Sequence, residues 1–419
     1  MINKVTELKL KVRNKGYSGE VSRKLLKELV SLNGRIGFRG YTKNDIVERS
    51  NGVLTYSPTN IVNNKIVNYK NDTYISQDKY KESPEIMVKN NDILFVKTGS
   101  TLGKSALVRN LTEPATINPQ LIVIKTIHVD SDYLAVYLLT DSIQKQVFQV
   151  KIGGAVPTLT ETEIGKFVVK LPPLPEQTAI GSLFRTLDDL LTSYKDNLAN
   201  YQSLKATMLS KMFPKVGHTA PEIRLDGFEG EWKKSKLRDV SERVQGNDGR
   251  MDLPTLTISA SGGWMNQIER FSANIAGKEQ KNYTLLKKGE LSYNHGNSKL
   301  AKYGVVFELQ DYEEALVPKV YHSFRVNQLA DAKFIEIMFS SKIPDRELGK
   351  LVSSGARMDG LLNISFDDFM NIAIIIPTIE EQQAIGSYFS KLDQLITSYR
   401  EKITQLETLK KKLLQDMFI

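Results

Sequence analysis

Between residues 180 and 212 the apolar positions fall alternately four and three apart: Ile180, Phe184, Leu187, Leu191, Tyr194, Leu198, Tyr201, Met208 and Met212. The spacing returns further along at Ile385, Phe389, Leu392, Ile396, Tyr399, Ile403, Leu406, Leu413 and Met417. One step breaks in each series, at Lys205 and Lys410, where the neighbouring Leu204 and Leu409 can substitute. A mean spacing of 3.5 held over about five heptads predicts two long helices with coiled-coil seams. At 1.5 Å per residue, about 37 residues make a rod of ~55 Å. Two such rods pair most simply with each other. The competing arrangement docks each as an ordinary amphipathic helix on its own globular core. Proline and an acidic residue open each rod, and Glu176 and Glu381 sit where the positive helix end favours negative charge.

The two rods are copies. Residues 172–214 align without a gap on 377–419 at a shift of about 205, with roughly 19 of 43 positions identical. Leu-Pro-Pro-Leu-Pro-Glu-Gln at 171–177 returns as Ile-Pro-Thr-Ile-Glu-Glu-Gln at 376–382. Gly181 pairs with Gly386, Asp188 with Asp393, and Thr-Ser-Tyr at 192–194 with Thr-Ser-Tyr at 397–399. Upstream, strand-like runs at 166–171 and 371–376 precede the rods, and Gly154-Ala155 corresponds to Gly355-Ala356. Helices are expected near Asp132 and Lys333, and the apolar stretch from Asp92 corresponds to that from Gly289. The remaining strands are short and punctuated by turn formers such as Asn33-Gly34 and Asn90-Asn91-Asp92. The fold class is therefore α+β: two domains of mixed α/β structure, each followed by a long helix, in a pseudo-twofold internal repeat. The boundaries are 1–171 for the first domain and 172–214 for its helix. The second domain spans 215–374, with 215–231 as a linker, and its helix spans 375–419.

Composition narrows the chemistry. The chain has 419 residues, 41% of them hydrophobic, so each half can bury a core. With no Cys and four scattered His, thiolate chemistry, disulfides and local zinc motifs are excluded. Lys and Arg outnumber Asp and Glu by 57 to 48, a net charge of +9, and the excess is concentrated in residues 1–50. Such an excess fits a polyanionic partner, foremost nucleic acid. The opening residues lack a signal peptide's apolar core and no apolar run reaches membrane length, which points to the cytoplasm.

No catalytic constellation stands out. Thr-Gly-Ser-Thr-Leu-Gly-Lys-Ser at 98–105 mimics a phosphate-binding loop, but only three residues separate Gly99 from Gly103 and Thr98 occupies a glycine position. Asn-Pro-Gln-Leu at 118–121, placed in an expected strand, is no methyltransferase tetrapeptide and has no glycine-rich partner loop. Glu161, Glu163, Asp367 and Asp368 are placed as helix-start residues, not as a nuclease cluster. Residues that could hold DNA lie in the dissimilar parts of the halves. In the first they are Arg35, Arg39, Tyr41, Thr42, Lys43, Lys97, Thr98, Ser100, Thr101 and Lys104. In the second they are Ser259, Ser261, Trp264, Asn266, Tyr293, Asn294, Asn297, Ser298, Lys299 and Lys302. Arg can grip guanine, Asn can grip adenine, and Lys, Ser and Thr hold phosphates.

With its repeated helix start and two dissimilar domains, the whole chain resembles the specificity subunit of type I restriction–modification systems. The segment Pro-Glu-Ile-Arg-Leu-Asp-Gly-Phe-Glu-Gly-Glu-Trp at 221–232 is similar to the lead-in of a target-recognition domain in that family. The first half lacks a clear copy of it and begins with a basic stretch instead. The resemblance implies a subunit without an active site, in which each recognition domain reads half of a split, asymmetric DNA target. It implies that the helices form an antiparallel coiled coil that acts as a spacer. It further implies two modification subunits that methylate adenine with S-adenosylmethionine, and restriction subunits using ATP and magnesium. The chain itself would carry no cofactor. The alternative is a stand-alone sequence-specific DNA-binding protein that dimerises through its coiled coil.

Overall fold

The computed structural model of the chain describes residues 21–150, 157–271, 277–296, 301–352 and 362–418. Gly154-Ala155, Gly355-Ala356, Asn297, Ser298 and Lys299 lie outside the described residues. The chain divides into two compact units, Met1–Lys195 with Glu401–Ile419, and Asp196–Arg400. The division falls inside both long helices, so the rods form no separate domain.

Each unit is built on a four-stranded, wholly antiparallel sheet. In the first, Val30–Gly34 pairs with Leu121–Thr126, which pairs with Ile93–Val96, which pairs with Ser105–Leu107. In the second, Ser241–Arg243, His322–Val326, Leu291–Asn294 and Val305–Glu308 take the same order. The apolar stretches matched by the repeat thus become equivalent central strands. Beside each sheet lies a two-stranded ribbon, Ser22–Leu25 with Val168–Leu171 and Lys233–Lys236 with Ala373–Ile376. The second layers differ. The first unit has a three-stranded sheet from Gly52–Tyr56, Thr73–Ser76 and Ala115–Ile117. The second has two ribbons, Leu256–Ser259 with Gly263–Asn266 and Thr284–Lys287 with Glu314–Val317, joined by a parallel bridge between Thr255 and Leu316.

Two expectations change. Asn33-Gly34 closes a strand instead of forming a turn, because Asn33 pairs with Val123 and Gly34 with Ile122; the glycine serves close packing, since a Cβ there would land on the Glu161 carboxylate. Asn118 lies outside the strands, in a turn where Leu121 N–H donates to its carbonyl and Gln120 N–H to its Oδ1.

The long helices, Leu174–Lys211 and Ile379–Asp416, have 38 residues each. The same device anchors both starts. The Gln177 amide donates to the Pro172 carbonyl and accepts from Asp130 N–H, while Asp130 caps the helix Ser131–Tyr137. Gln382 donates to Pro377 and accepts from Asp331 N–H, while Asp331 caps the helix Ala332–Ser340. The short helices expected near Asp132 and Lys333 are therefore present, each pinned to a rod. Gly181 lets the first cap approach: a Cβ there would lie 2.6 Å from Asp132 Cβ.

Seam positions are buried at Ile180, Phe184, Leu187, Leu191, Ile385, Phe389, Leu392, Ile396, Ile403 and Leu406, and half-buried at Tyr194, Leu198, Tyr201 and Tyr399. Within the first unit Asp188 meets Lys410 and Lys195 meets Glu407, an antiparallel order. Within the second, Lys205 meets Asp393, and Tyr201 packs on Tyr399 with centroids 5.4 Å apart. The Lys410–Asp188 and Lys205–Asp393 pairs are images of each other under the repeat. In the first unit Phe418 packs on Tyr133, Tyr137 and Phe184 at 5.7, 5.6 and 6.1 Å. In the second, Ile385, Phe389 and Leu392 join one core with Met212, Phe213, Trp232 and Phe334. Within each unit, then, residues of both long helices meet one another and the globular core.

The segment 215–231, read as a linker, is folded onto the second unit. Ile223 N–H donates to the Lys211 carbonyl, and Trp232 N–H to that of Thr219. The Arg224 guanidinium grips the buried Glu381 carboxylate through two bonds of 2.7 and 2.6 Å.

Candidate nucleic-acid interface

In the first unit the hairpin between Ile93–Val96 and Ser105–Leu107 brings Thr98, Ser100, Thr101 and Lys104 together. With Gln120 and the loop 57–62 they line a concavity of about 440 Å³. The loop is not a phosphate cradle. Its Gly99, Leu102, Gly103 and Lys104 N–H groups donate to Pro157, Gly99, Val96 and Thr101 carbonyls. Gly99 and Gly103 have φ of +107° and +87°, which only glycine adopts freely. What the turn offers a ligand is its hydroxyls and the exposed Lys104. Lys97 is tied to Glu161 at 2.8 Å, and this bond, with helix-start hydrogen bonding, holds the Glu161 carboxyl below its usual range against the opposing effect of burial.

The other first-half candidates do not line this concavity. Arg35 is buried, donating to the Ile117 and Arg39 carbonyls and Thr116 Oγ1, with its guanidinium carbon 5.4 Å from the Tyr41 ring centroid. Burial lowers its affinity for its proton and raises that of the Tyr41 hydroxyl. Arg39 reaches the Glu82 carbonyl and Glu85. Thr42 caps the turn Lys43–Asp45, and Lys43 is exposed. Arg35 thus acts as an internal strut supporting the 36–41 loop.

The second-half candidates are scattered. Ser259 and Ser261 sit at the tip of a hairpin, 3.3 Å apart through their hydroxyls. Trp264 is half-buried and donates from Nε1 to the Glu308 carbonyl, and Asn266 accepts from Ile268 N–H. Asn294 donates to the Ile258 carbonyl, and exposed Lys302 lies 5.2 Å from the Tyr303 ring centroid. Tyr293 is core: fully buried, stacked on Phe369 at 4.4 Å, its hydroxyl donating to the Tyr303 carbonyl. Burial raises the pKa of that hydroxyl far beyond its ordinary value. His322 stacks on His295 at 4.9 Å, and burial pushes it down to about 4, so the ring is neutral at pH 7. The sequence reading missed a concavity in this unit, at Arg243, Lys281 and Lys319. No local motif marks it, because the three come from distant segments.

Among the described residues no group of three or more His, Asp or Glu could hold a metal ion, and no helix is long and apolar enough to cross a membrane. The carboxylates at 161–163 and 367–368 lie in short helices, where Thr160 and Ser365 serve as N-caps.

Residues 25–201 and 229–408 each match the family model described as type I restriction modification DNA specificity domain. The chain is 23% identical over 345 residues to the type I restriction enzyme MjaVIII specificity subunit of Methanocaldococcus jannaschii, covering 79% of each chain. It is 21% identical over 381 residues to the putative MjaX specificity subunit of the same organism, covering 81% of this chain and 80% of that one. In fold it is similar to the crystal structure of the type I restriction-modification system S subunit from M. genitalium. That match has a TM-score of 0.57 and 12% identity, over 96% of this chain and 97% of the other.

Proposed function

From the premise that the chain belongs to the type I restriction modification DNA specificity family, a DNA-recognition component and not a catalytic one, we propose that its two units read the two unlike halves of one bipartite, asymmetric DNA target. The observation that carries this reading is a contrast between the units. They share the four-stranded sheet and the helix-start device, yet differ in the layers beside them: a three-stranded sheet in one, two ribbons joined by the Thr255–Leu316 bridge in the other. Like frames with unlike polar surfaces are what two different half-sites call for.

In this reading the long helices form an antiparallel coiled coil and set the gap between the half-sites. At 38 residues each they span about 57 Å, against ~34 Å for one turn of DNA. They also dock two modification subunits, which bring S-adenosylmethionine and methylate adenine. Restriction subunits would add ATP- and magnesium-dependent translocation and cleavage. The cytoplasm, where DNA is accessible to all of them, is the expected compartment.

The test is co-expression with the modification subunit in a methylation-free host, followed by single-molecule sequencing for modified adenine. A split asymmetric motif that vanishes without this chain is the expected result. A palindromic motif, or none despite an active partner subunit, would overturn the reading. In the same assay, four residues inserted after Asn197 should lengthen the gap and leave both half-sites unchanged. An unaltered gap would remove the spacer role.

A further inference from the structure

The concavity of about 490 Å³ in the second unit collects three cations that are distant in the chain. Arg243 ends the strand Ser241–Arg243, Lys281 lies in the 3-10 helix Gly277–Asn282, and Lys319 lies in the turn from Pro318 to Tyr321. All three are exposed and none has an ion-pair partner among the described residues. No carboxylate lines the concavity. Arg250, Lys288 and Arg325 of the same unit, by contrast, each meet a carboxylate, from Glu314, Glu313 and Glu242.

The walls are fixed before any ligand arrives. The Arg243 guanidinium lies over the Phe366 ring at 4.3 Å, which covers one face and leaves its N–H edge available as a planar fork. The Lys319 turn is closed by Tyr321 N–H on the Pro318 carbonyl. The Tyr321 hydroxyl, 3.0 Å from Thr257 Oγ1, accepts from Ile258 N–H and ties that turn to the neighbouring ribbon. The Lys281 wall is held by Asn247 donating to the Gln280 carbonyl and by Leu285 N–H donating to Gly246. Three like charges gathered without a counter-charge repel one another, and an anion seated among them turns that cost into attraction.

We propose that this concavity is a phosphate clamp, seating backbone phosphates of the DNA read by the second unit and supplying a sequence-independent part of its affinity. The proposal rests on the DNA-specificity reading above. The first unit's concavity, with Lys104 as its one cation among hydroxyls and an amide, is the contrasting case.

The test uses the full chain co-purified with its modification subunit. Binding to a target duplex and to a scrambled duplex is followed by fluorescence anisotropy across a salt series. The variant Arg243→Ala/Lys281→Ala/Lys319→Ala changes only exposed side chains. Its slope of log affinity against log salt should shrink by about 0.9 per lost contact, about 2–3 in all. Affinity should fall by the same factor on both duplexes, and the methylated motif should not change. Arg243→Lys, which keeps the charge, should keep most of the slope. A triple variant indistinguishable from wild type overturns the clamp, as does a loss confined to the target duplex, which would mark base readers. A wild-type complex that binds neither duplex overturns the DNA reading itself and is distinguishable from both.

Discussion

The Arg224–Glu381 pair shows how much depends on one contact. Glu381 is 1% exposed, and the guanidinium that neutralises it comes from the segment 215–231. Removing one partner of a buried pair leaves an uncompensated charge in a low dielectric. Arg224→Ala is therefore expected to destabilise the second unit by about 3–5 kcal/mol. Replacing both residues by apolar ones of similar volume should restore much of that. Denaturant unfolding of the two variants checks both statements, and equal losses would contradict the argument. The same pair explains why the segment reads as a linker in sequence. Its Gly, Pro and polar residues look like tether composition, and nothing local reveals that Arg224 has a partner far along the chain. Tyr293 is the reverse case. Its polar neighbours Ser292, Asn294 and His295 make the run look like surface, but the strand Leu291–Asn294 is buried on both faces and alternation carries no signal there.

At the scale of elements the long helices were the most legible part. A 3.5-residue period over ten turns is dictated by local geometry, and burial of the seam follows it almost position by position. The candidate interface was half legible. The hairpin 98–104 concentrates its polar groups in one turn and could be found. The Arg243–Lys281–Lys319 concavity depends on three separate segments meeting, and one sequence does not reveal such a meeting. The repeat also hides an asymmetry. A Cβ at Gly181 would lie 2.6 Å from Asp132 Cβ and 2.9 Å from Tyr133 N, whereas at Gly386 the nearest atom is Asp331 Oδ1 at 3.2 Å. Alanine gains about 1 kcal/mol over glycine in a helix, while overpacking costs about 1–3 kcal/mol. Gly386→Ala should be close to neutral. Gly181→Ala should lose about 1–2 kcal/mol because backbone has to move. Thermal unfolding of the two variants compares them directly, and the opposite ranking would show that the contact at Gly181 relaxes freely.

At the scale of the whole molecule the notable fact is that the first unit is discontinuous: Met1–Lys195 is completed by Glu401–Ile419. Phe418 fills a pocket made by Tyr133, Tyr137 and Phe184. Phe418→Ala should cost about 3 kcal/mol or more. Hydrogen exchange should locate the loss in the helix Ser131–Tyr137 and leave Ala332–Ser340 protected. Uniform loss across both units would refute this. The discontinuity also has a consequence for biosynthesis. Chains are made in one direction at about 5–20 residues per second, so the ribosome makes all of the second unit before the segment that closes the first core. The N-terminal half must wait, incompletely packed, for many seconds. A polypeptide abandoned midway exposes the aromatic pocket of Tyr133, Tyr137 and Phe184, a mark by which chaperones and proteases can tell an unfinished chain from a finished one.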